Sequence, residues 1–360
     1  MTAGDHNALT DVPGFRVGHA TKIGGGALSG TTVVLVPPCS VCAVDVRGGA
    51  PATRDTAALD VRYGVRHPDA IVLSGGSSYG LSAAHGVFAE LSRLSTSEPL
   101  VPAAALFDLG RGGEFHAHPG AETGVEALLN ARSSGHDVEQ GNVGAGTGAL
   151  TAEMKGGLGT ASVVLPGGIV VAALVAMNAR GAAIDPADGL PYALSYGESS
   201  RMRDGEVVDW QEFELSPSND DELASARQRL DATVRTRASR KPLNTVIGVI
   251  ATNAVLTHAE AYQLAGAAQD GLGVAIRPSH CLGDGDTIFG VSTGAIPGAD
   301  AGNVLVSAVG VTARALVHAV LAAESVTTPW GHLASYREIY PGAARFSPSE
   351  KPPGEVDGVG

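Results

Sequence analysis

A chain of 360 residues, 44% hydrophobic and 17% charged, can bury one large core or two ordinary ones, and its composition excludes a fibrous or wholly disordered protein. Its formal net charge of −13 argues against nucleic acid or an anionic membrane surface as a partner, because both would repel it. Forty-nine glycines against 4% aromatics point to many tight turns and close backbone approaches.

Residues 1–7 lack the basic-then-apolar pattern of a signal peptide, and no apolar run is expected to approach the ~20 residues of a spanning helix. An odd set of three cysteines suits a reducing compartment, so the expected location is the cytoplasm. Cys39 and Cys42 have CxxC spacing, but they stand between strand-like runs with no second pair, which argues against a metal or redox site. Cys281 reads as a small buried residue.

In chain order, residues 31–36 and 41–46 read as strands, separated by Pro37-Pro38. Arg54 and Asp55 read as a local ion pair. Residues 70–73 form a short apolar strand that runs into Ser74-Gly75-Gly76-Ser77-Ser78 and then a helix over 79–94. Such a turn at a helix N-terminus either holds an anion such as a substrate carboxylate, with Tyr79 lining the pocket, or is only a tight turn. A strand over 100–107 and a helix over 121–132 follow. The glycine-rich stretch 141–148 is a poor dinucleotide loop, since no strand precedes it and no acidic residue closes a βαβ unit.

Lys155 is the one lysine of four set among glycine and apolar residues. Desolvation there would lower its pKa, whereas the plainer reading is a surface loop lysine. The long apolar strand over 168–177 ends in Asn178, whose amide either donates to a developing oxyanion or caps the next turn. Residues 182–220 are loop-like, and 220–237 is an amphipathic helix with Leu223, Ala226, Leu230 and Val234 on one face.

A basic linker over 237–242 then runs straight into a β-branched apolar strand over 246–251, with Asn244-Thr245 at the junction. Two readings are open there. One is an ordinary loop-to-strand boundary. The other is a self-cleavage site, in which the Thr245 hydroxyl attacks the Asn244 carbonyl and leaves an N-terminal Thr whose α-amine, with a pKa of about 7.7–8.0, can take the hydroxyl proton.

Downstream, Thr257 and Glu260 make a capping box that opens a helix to about residue 272, placing His258 in its exposed first turn. Residues 274–276 read as a brief strand and 288–291 as another. Between them, Asp284-Gly285-Asp286 resembles the start of a calcium loop but lacks the remaining ligands. The alternative is a pair of carboxylates that orient Thr245. Residues 301–323 form a long apolar core helix, and 336–360 a Pro/Gly-rich tail. There are no internal repeats. The alternation of strands and helices indicates an α/β protein.

Asn244-Thr245 followed by Val-Ile-Gly-Val-Ile-Ala-Thr-Asn resembles the cleavage segment of the DmpA-like self-processing peptidases, which include β-aminopeptidases and the nylon-oligomer hydrolase. The segments LTDVPGFRVGH (9–19), DVRGGAP (45–51), LSGGSSYGL (73–81), GAGTG (144–148) and DGDT (284–287) resemble that family in the same order, over roughly residues 8–325. The resemblance implies an αββα four-layer sandwich, in which one catalytic domain over 1–335 self-cleaves into 1–244 and 245–360. It implies Thr245 as nucleophile, Asn178 at the oxyanion, Lys155 tuning the nucleophile and Asp284 and Asp286 positioning it. No metal or organic cofactor is implied. The implied substrate is a small peptide or oligoamide, and the implied assembly a homo-oligomer of processed protomers. The aminopeptidase branch carries Ser as nucleophile with a downstream Ser/Glu pair. Thr245 with Asp-Gly-Asp is closer to the nylon-oligomer hydrolase branch. The same resemblance leaves two alternatives, an acyltransferase of the ornithine acetyltransferase type and a non-catalytic binding protein on the same fold.

Overall fold

The computed structural model describes residues 2–94, 97–199, 210, 212–238 and 244–343. Two five-stranded sheets form its centre. The first contains β1 (Arg16–Gly24), β2 (Ala27–Leu35), β4 (Thr53–Arg54), β5 (Ala70–Ser74) and β6 (Ala103–Ala105), in the order β1-β2-β5-β6-β4. The second contains β3 (Val41–Val46), β9 (Leu158–Leu165), β10 (Ile169–Ala176), β11 (Ile247–Ala254) and β12 (Thr287–Ile296), in the order β3-β12-β11-β10-β9. A short hairpin of β7 (Leu150–Thr151) and β8 (Met154–Lys155) stands apart from both.

The continuous apolar runs follow from burial on both faces of each sheet. Along β10, Val170, Ala172, Leu174 and Ala176 point into a core shared with Val34, Ile71 and Leu73 of the first sheet. The alternate residues Val171, Ala173 and Val175 meet α6 (His258–Ala275) and α7 (Ala301–Leu321) on the other side. In the first sheet, Val33, Val72 and Ala103 face α2 (Ser82–Ser92) and α3 (Ala121–Ser133). The layers are therefore helix, sheet, sheet, helix, as the family resemblance implies, with side chains alternating at the strand period of two. α4 (Tyr192–Ser199) and α5 (Asp220–Arg235) flank the second helical layer.

Several elements differ from the sequence expectation. The helix expected over 79–94 is split into α1 (Ser77–Gly80) and α2, because the Ala84 N–H closes on Leu81 O in a tighter turn. The strand expected over 100–107 shrinks to β6, and Pro102 before it has no N–H for the ladder. The strand expected over 274–276 does not form, because the Ile276 N–H still bonds Leu272 O and prolongs α6. α7 overturns the expectation that no segment reaches spanning length. By length and hydropathy it could cross a bilayer, but it covers β9 and β10, and its fully buried Arg314 donates to Glu212 at 2.7 and 2.6 Å. The packed chain also runs past residue 335. α8 (Tyr336–Ile339) buries Tyr336 and Ile339 in the helical core, and Ala343 joins them, while 344–360 lies outside the described residues.

Smaller readings held. Arg54 pairs with Asp55 at 3.1 Å, and the capping box at Thr257 opens α6. Cys39 is exposed and Cys42 is buried between the sheets, so the CxxC spacing assembles no pair. Cys281 is half-buried rather than buried.

Candidate active site

Two strand registers assemble the site. β11 and β12 run parallel with Ile247 opposite Thr287, so the residues leading into them lie side by side at one end of the second sheet. β10 runs antiparallel to β11 with Ala176 opposite Ile247, which brings residue 178 level with residue 245. The hydrogen bonds follow from this. The Thr245 N–H donates to Asn178 O at 2.5 Å, the Gly285 N–H donates to Thr245 Oγ1 at 3.1 Å, and the Val246 N–H donates to Asp286 Oδ1 at 2.8 Å. Thr245 Oγ1 itself donates to the Asn244 carbonyl oxygen at 2.5 Å. Asn244 and Thr245 are both buried.

Asp284 is buried, and its two oxygens differ. Oδ2 accepts the Cys281 N–H at 3.1 Å, whereas Oδ1 has no partner among the described residues. Burial, and then the nearby charge of Asp286, push its pKa up to about 6. The loop that carries both carboxylates is clamped by the glycine pair of the DVRGGAP segment. The Arg47 N–H donates to Asp286 O at 2.7 Å and the Ala50 N–H to Asp284 O at 2.9 Å. Gly48 has φ +89°, and a Cβ there would stand 2.4 Å from Asp284 O. Gly48→Ala is therefore expected to lower stability by on the order of 2–4 kcal/mol in a urea melt, since the left-handed backbone and the forced loop shift both cost energy. Activity should fall with it.

Lys155 is completely buried rather than on the surface. Its Nζ donates to Gly156 O at 2.6 Å and Gly146 O at 3.1 Å. Burial, and then the charge of Arg111, lower its pKa to about 7. A neutral ε-amine with both N–H groups on carbonyls has its lone pair left for a proton. The β7–β8 hairpin that carries Lys155 is tied to Asn178, whose Oδ1 accepts the Leu150 N–H at 3.1 Å.

Sequence reasoning missed Asp108, Arg111 and His280. Arg111 is buried and donates through Nη1 to Asn178 Oδ1 and to Gly148 O, both at 2.6 Å, and burial pushes its pKa down to about 10. With two donors on Oδ1, the orientation of the Asn178 amide is settled by its bonds. One Nδ2 hydrogen goes to Phe107 O at 3.2 Å and the other has no partner among the described residues, which leaves it for an oxyanion. The available signal was a charged pair, Asp108 and Arg111, directly after a buried strand. His280 lies against Asp286, with Nδ1 at 2.8 Å from Oδ2.

The glycine turn is a tight turn and not an open anion site. The Gly76 N–H donates to Asp108 Oδ1 at 2.7 Å, the Gly75 N–H to Gly30 O at 2.8 Å and the Ser77 N–H to Leu106 O at 2.8 Å. The acid it meets is the protein's own buried Asp108, and the bonds to Asp108 and Gly30 leave no N–H at Gly75 or Gly76 for a substrate. Tyr79 is 51% exposed and stacks on His118, with ring centroids 5.1 Å apart. It sits on the loop that carries Asp108, not among the residues bonded to Thr245.

The profile of peptidase family S58 matches residues 7–334. The chain belongs to peptidase family S58. An uncharacterized aminopeptidase of Mycobacterium leprae is 40% identical over 95% of this chain and 97% of its own. A 6-aminohexanoate-oligomer endohydrolase of Kocuria is 31% identical over 83% of this chain and 79% of its own. Among solved structures, a Burkholderia beta-aminopeptidase superposes with TM-score 0.67 at 22% identity, covering 94% of this chain and 93% of that one. An L-aminopeptidase D-Ala-esterase/amidase of Ochrobactrum anthropi, described as a variant of the Ntn hydrolase fold, superposes with TM-score 0.65 at 22% identity over the same shares. Those two show the fold. As an S58 peptidase, this chain is a hydrolase of amide or peptide bonds.

Proposed function

We propose that this S58 peptidase activates itself by cleaving Asn244–Thr245 and then hydrolyses short peptides or oligoamides with Thr245 as N-terminal nucleophile. The observation that carries the reading is the position of Thr245 Oγ1, against the Asn244 carbonyl at 2.5 Å and under the Gly285 N–H at 3.1 Å, at the one place where Asn178 and Asp286 also converge.

In the processing step, Oγ1 adds to the Asn244 carbonyl carbon and gives up its proton to a nearby base. Asp284, with an unpartnered Oδ1, and Lys155, with a lone pair, are the two candidates. The C–N bond then breaks, the Thr245 nitrogen takes a proton, and an ester joins Asn244 to Oγ1. Water hydrolyses the ester, leaving the Asn244 carboxylate and a free Thr245 amine and hydroxyl. In turnover the amine takes the hydroxyl proton, Oγ1 attacks the substrate amide, Asn178 Nδ2 donates to the oxyanion, and the protonated amine serves the leaving group. Water clears the acyl ester.

The relatives named as aminopeptidases and as 6-aminohexanoate-oligomer endohydrolases support two substrate classes, N-terminal residues of peptides and internal amides of linear oligomers. The test is an intact mass of purified protein, with N-terminal sequencing. Two fragments, the smaller beginning Thr-Val-Ile, are expected. A chain that stays whole through long incubation removes Thr245 as nucleophile.

A further inference from the structure

We propose that His280 is the positioning residue for Asp286, holding that carboxylate as a fixed anchor so that proton transfer falls to Asp284. The inference rests on the Thr245 reading above and assigns a role to a residue outside the expected set.

Both oxygens of Asp286 are held. Oδ1 accepts the Val246 N–H at 2.8 Å. Oδ2 faces His280 twice, the ring Nδ1 at 2.8 Å and the backbone N–H at 3.3 Å. The other ring nitrogen, Nε2, stands 3.3 Å from Gln269 O. The ring is therefore lodged between the Asp286 carboxylate and the backbone of α6.

The anchoring matters because the buried Asp284 lies two residues away, and the charge of Asp286 is among the causes that raise its pKa. With both Asp286 oxygens held, Asp284, whose Oδ1 has no partner among the described residues, is the carboxylate free to exchange a proton.

The backbone points the same way. His280 has φ +55°, the left-handed region that few non-glycine residues occupy, and that turn directs both its N–H and its ring at Oδ2. Behind it, Gln269 lies within α6, whose helical backbone holds the carbonyl that His280 faces, while its side-chain Nε2 donates to Asp45 O at 3.0 Å and Asp286 O at 3.3 Å. Asp286 in turn holds Val246, the neighbour of the nucleophile. A slack carboxylate would let Thr245 drift, and a displacement of about 1 Å can cost about 100-fold in rate.

Two substitutions separate the ring from the backbone. Gly accepts φ +55° and has no side-chain donor. Asn also tolerates that conformation, and its Nδ2 can stand where Nδ1 stood. His280→Gly is expected to slow processing and kcat about 100-fold with little change in KM, and His280→Asn to recover most of the loss. Equal behaviour of the two variants, whether both active or both impaired, overturns the assignment. A thermal double-mutant cycle of His280→Gly with Asp286→Asn reads the contact without any activity. Non-additive Tm shifts support the pairing and additive shifts overturn it, even in a chain that proves not to use Thr245 at all.

Discussion

Thr245→Ala is expected to leave the chain whole at 360 residues and to reduce amide hydrolysis by about 10⁴-fold or more. The substitution removes Oγ1, the atom that contacts the Asn244 carbonyl and accepts the Gly285 N–H, and it removes nothing else that bonds. The Thr245 N–H still reaches Asn178 O and Val246 still reaches Asp286, so the fold should stand. Thr245→Ser keeps the hydroxyl and should process. The γ-methyl of Thr restricts χ1, so Ser is expected to process more slowly, by roughly 10-fold. Mass spectrometry over a time course distinguishes the three chains. Cleavage of the Ala variant at the same bond would show that another group attacks it.

Lys155→Met is expected to slow self-cleavage, and with it the appearance of activity, by about 10²–10⁴-fold, while changing stability little near neutral pH. The magnitudes decide the second half. Lowering a lysine from its ordinary 10.5 to about 7 costs on the order of 5 kcal/mol at pH 7, which the substitution would recover. Against this, Gly146 O and Gly156 O lose their donor, at about 1–3 kcal/mol each. The two roughly cancel. The pH dependence has a definite sign. Between about 7 and 10.5 the unfolded chain binds a proton at Lys155 that the folded chain does not, so this group makes wild-type stability rise with pH across that window. The Met variant should lack that rise. In the processing step, the neutral lysine and the ionised Asp284 both require pH above their values of about 7 and about 6, so the rate of self-cleavage should climb through that range. An unchanged pH–rate limb in Lys155→Met would remove the lysine from proton transfer.

The sequence made some of this legible and hid the rest. Strands β5, β10 and β11 were readable because burial on both faces writes an unbroken apolar run. β1 and β9 were not. β1 alternates polar residues and glycine at a sheet edge, and β9 carries Gly159, Thr160 and Ser162 in its first half, so neither has the composition of a core strand. Gly18 and Gly159 are there because helices α3 and α7 lie close, with Ala131 N at 2.0 Å and Ala315 O at 2.1 Å from where a Cβ would be, and no local pattern announces a helix approaching from elsewhere in the chain. The glycine turn at 75–76 misled for a related reason. The N–H of Gly76 does meet a carboxyl group, but that group is Asp108, thirty-two residues away.

By itself the sequence determined the chemistry that was possible. It supplied a threonine at the head of a buried strand, a lysine among glycines, an amide at a strand end and two carboxylates in one loop, because these residue types in these local settings constrain what each can do. Tertiary structure alone decided which of them meet. The parallel register of β11 with β12 and the antiparallel register of β10 with β11 bring residues 178, 245 and 284–286 together, and a slip of one residue would turn every side chain to the other face. It also supplied what no local reading contains. Arg111 sits behind Asn178 and His280 against Asp286, because a buried amide and a buried carboxylate must each find partners wherever the fold provides them.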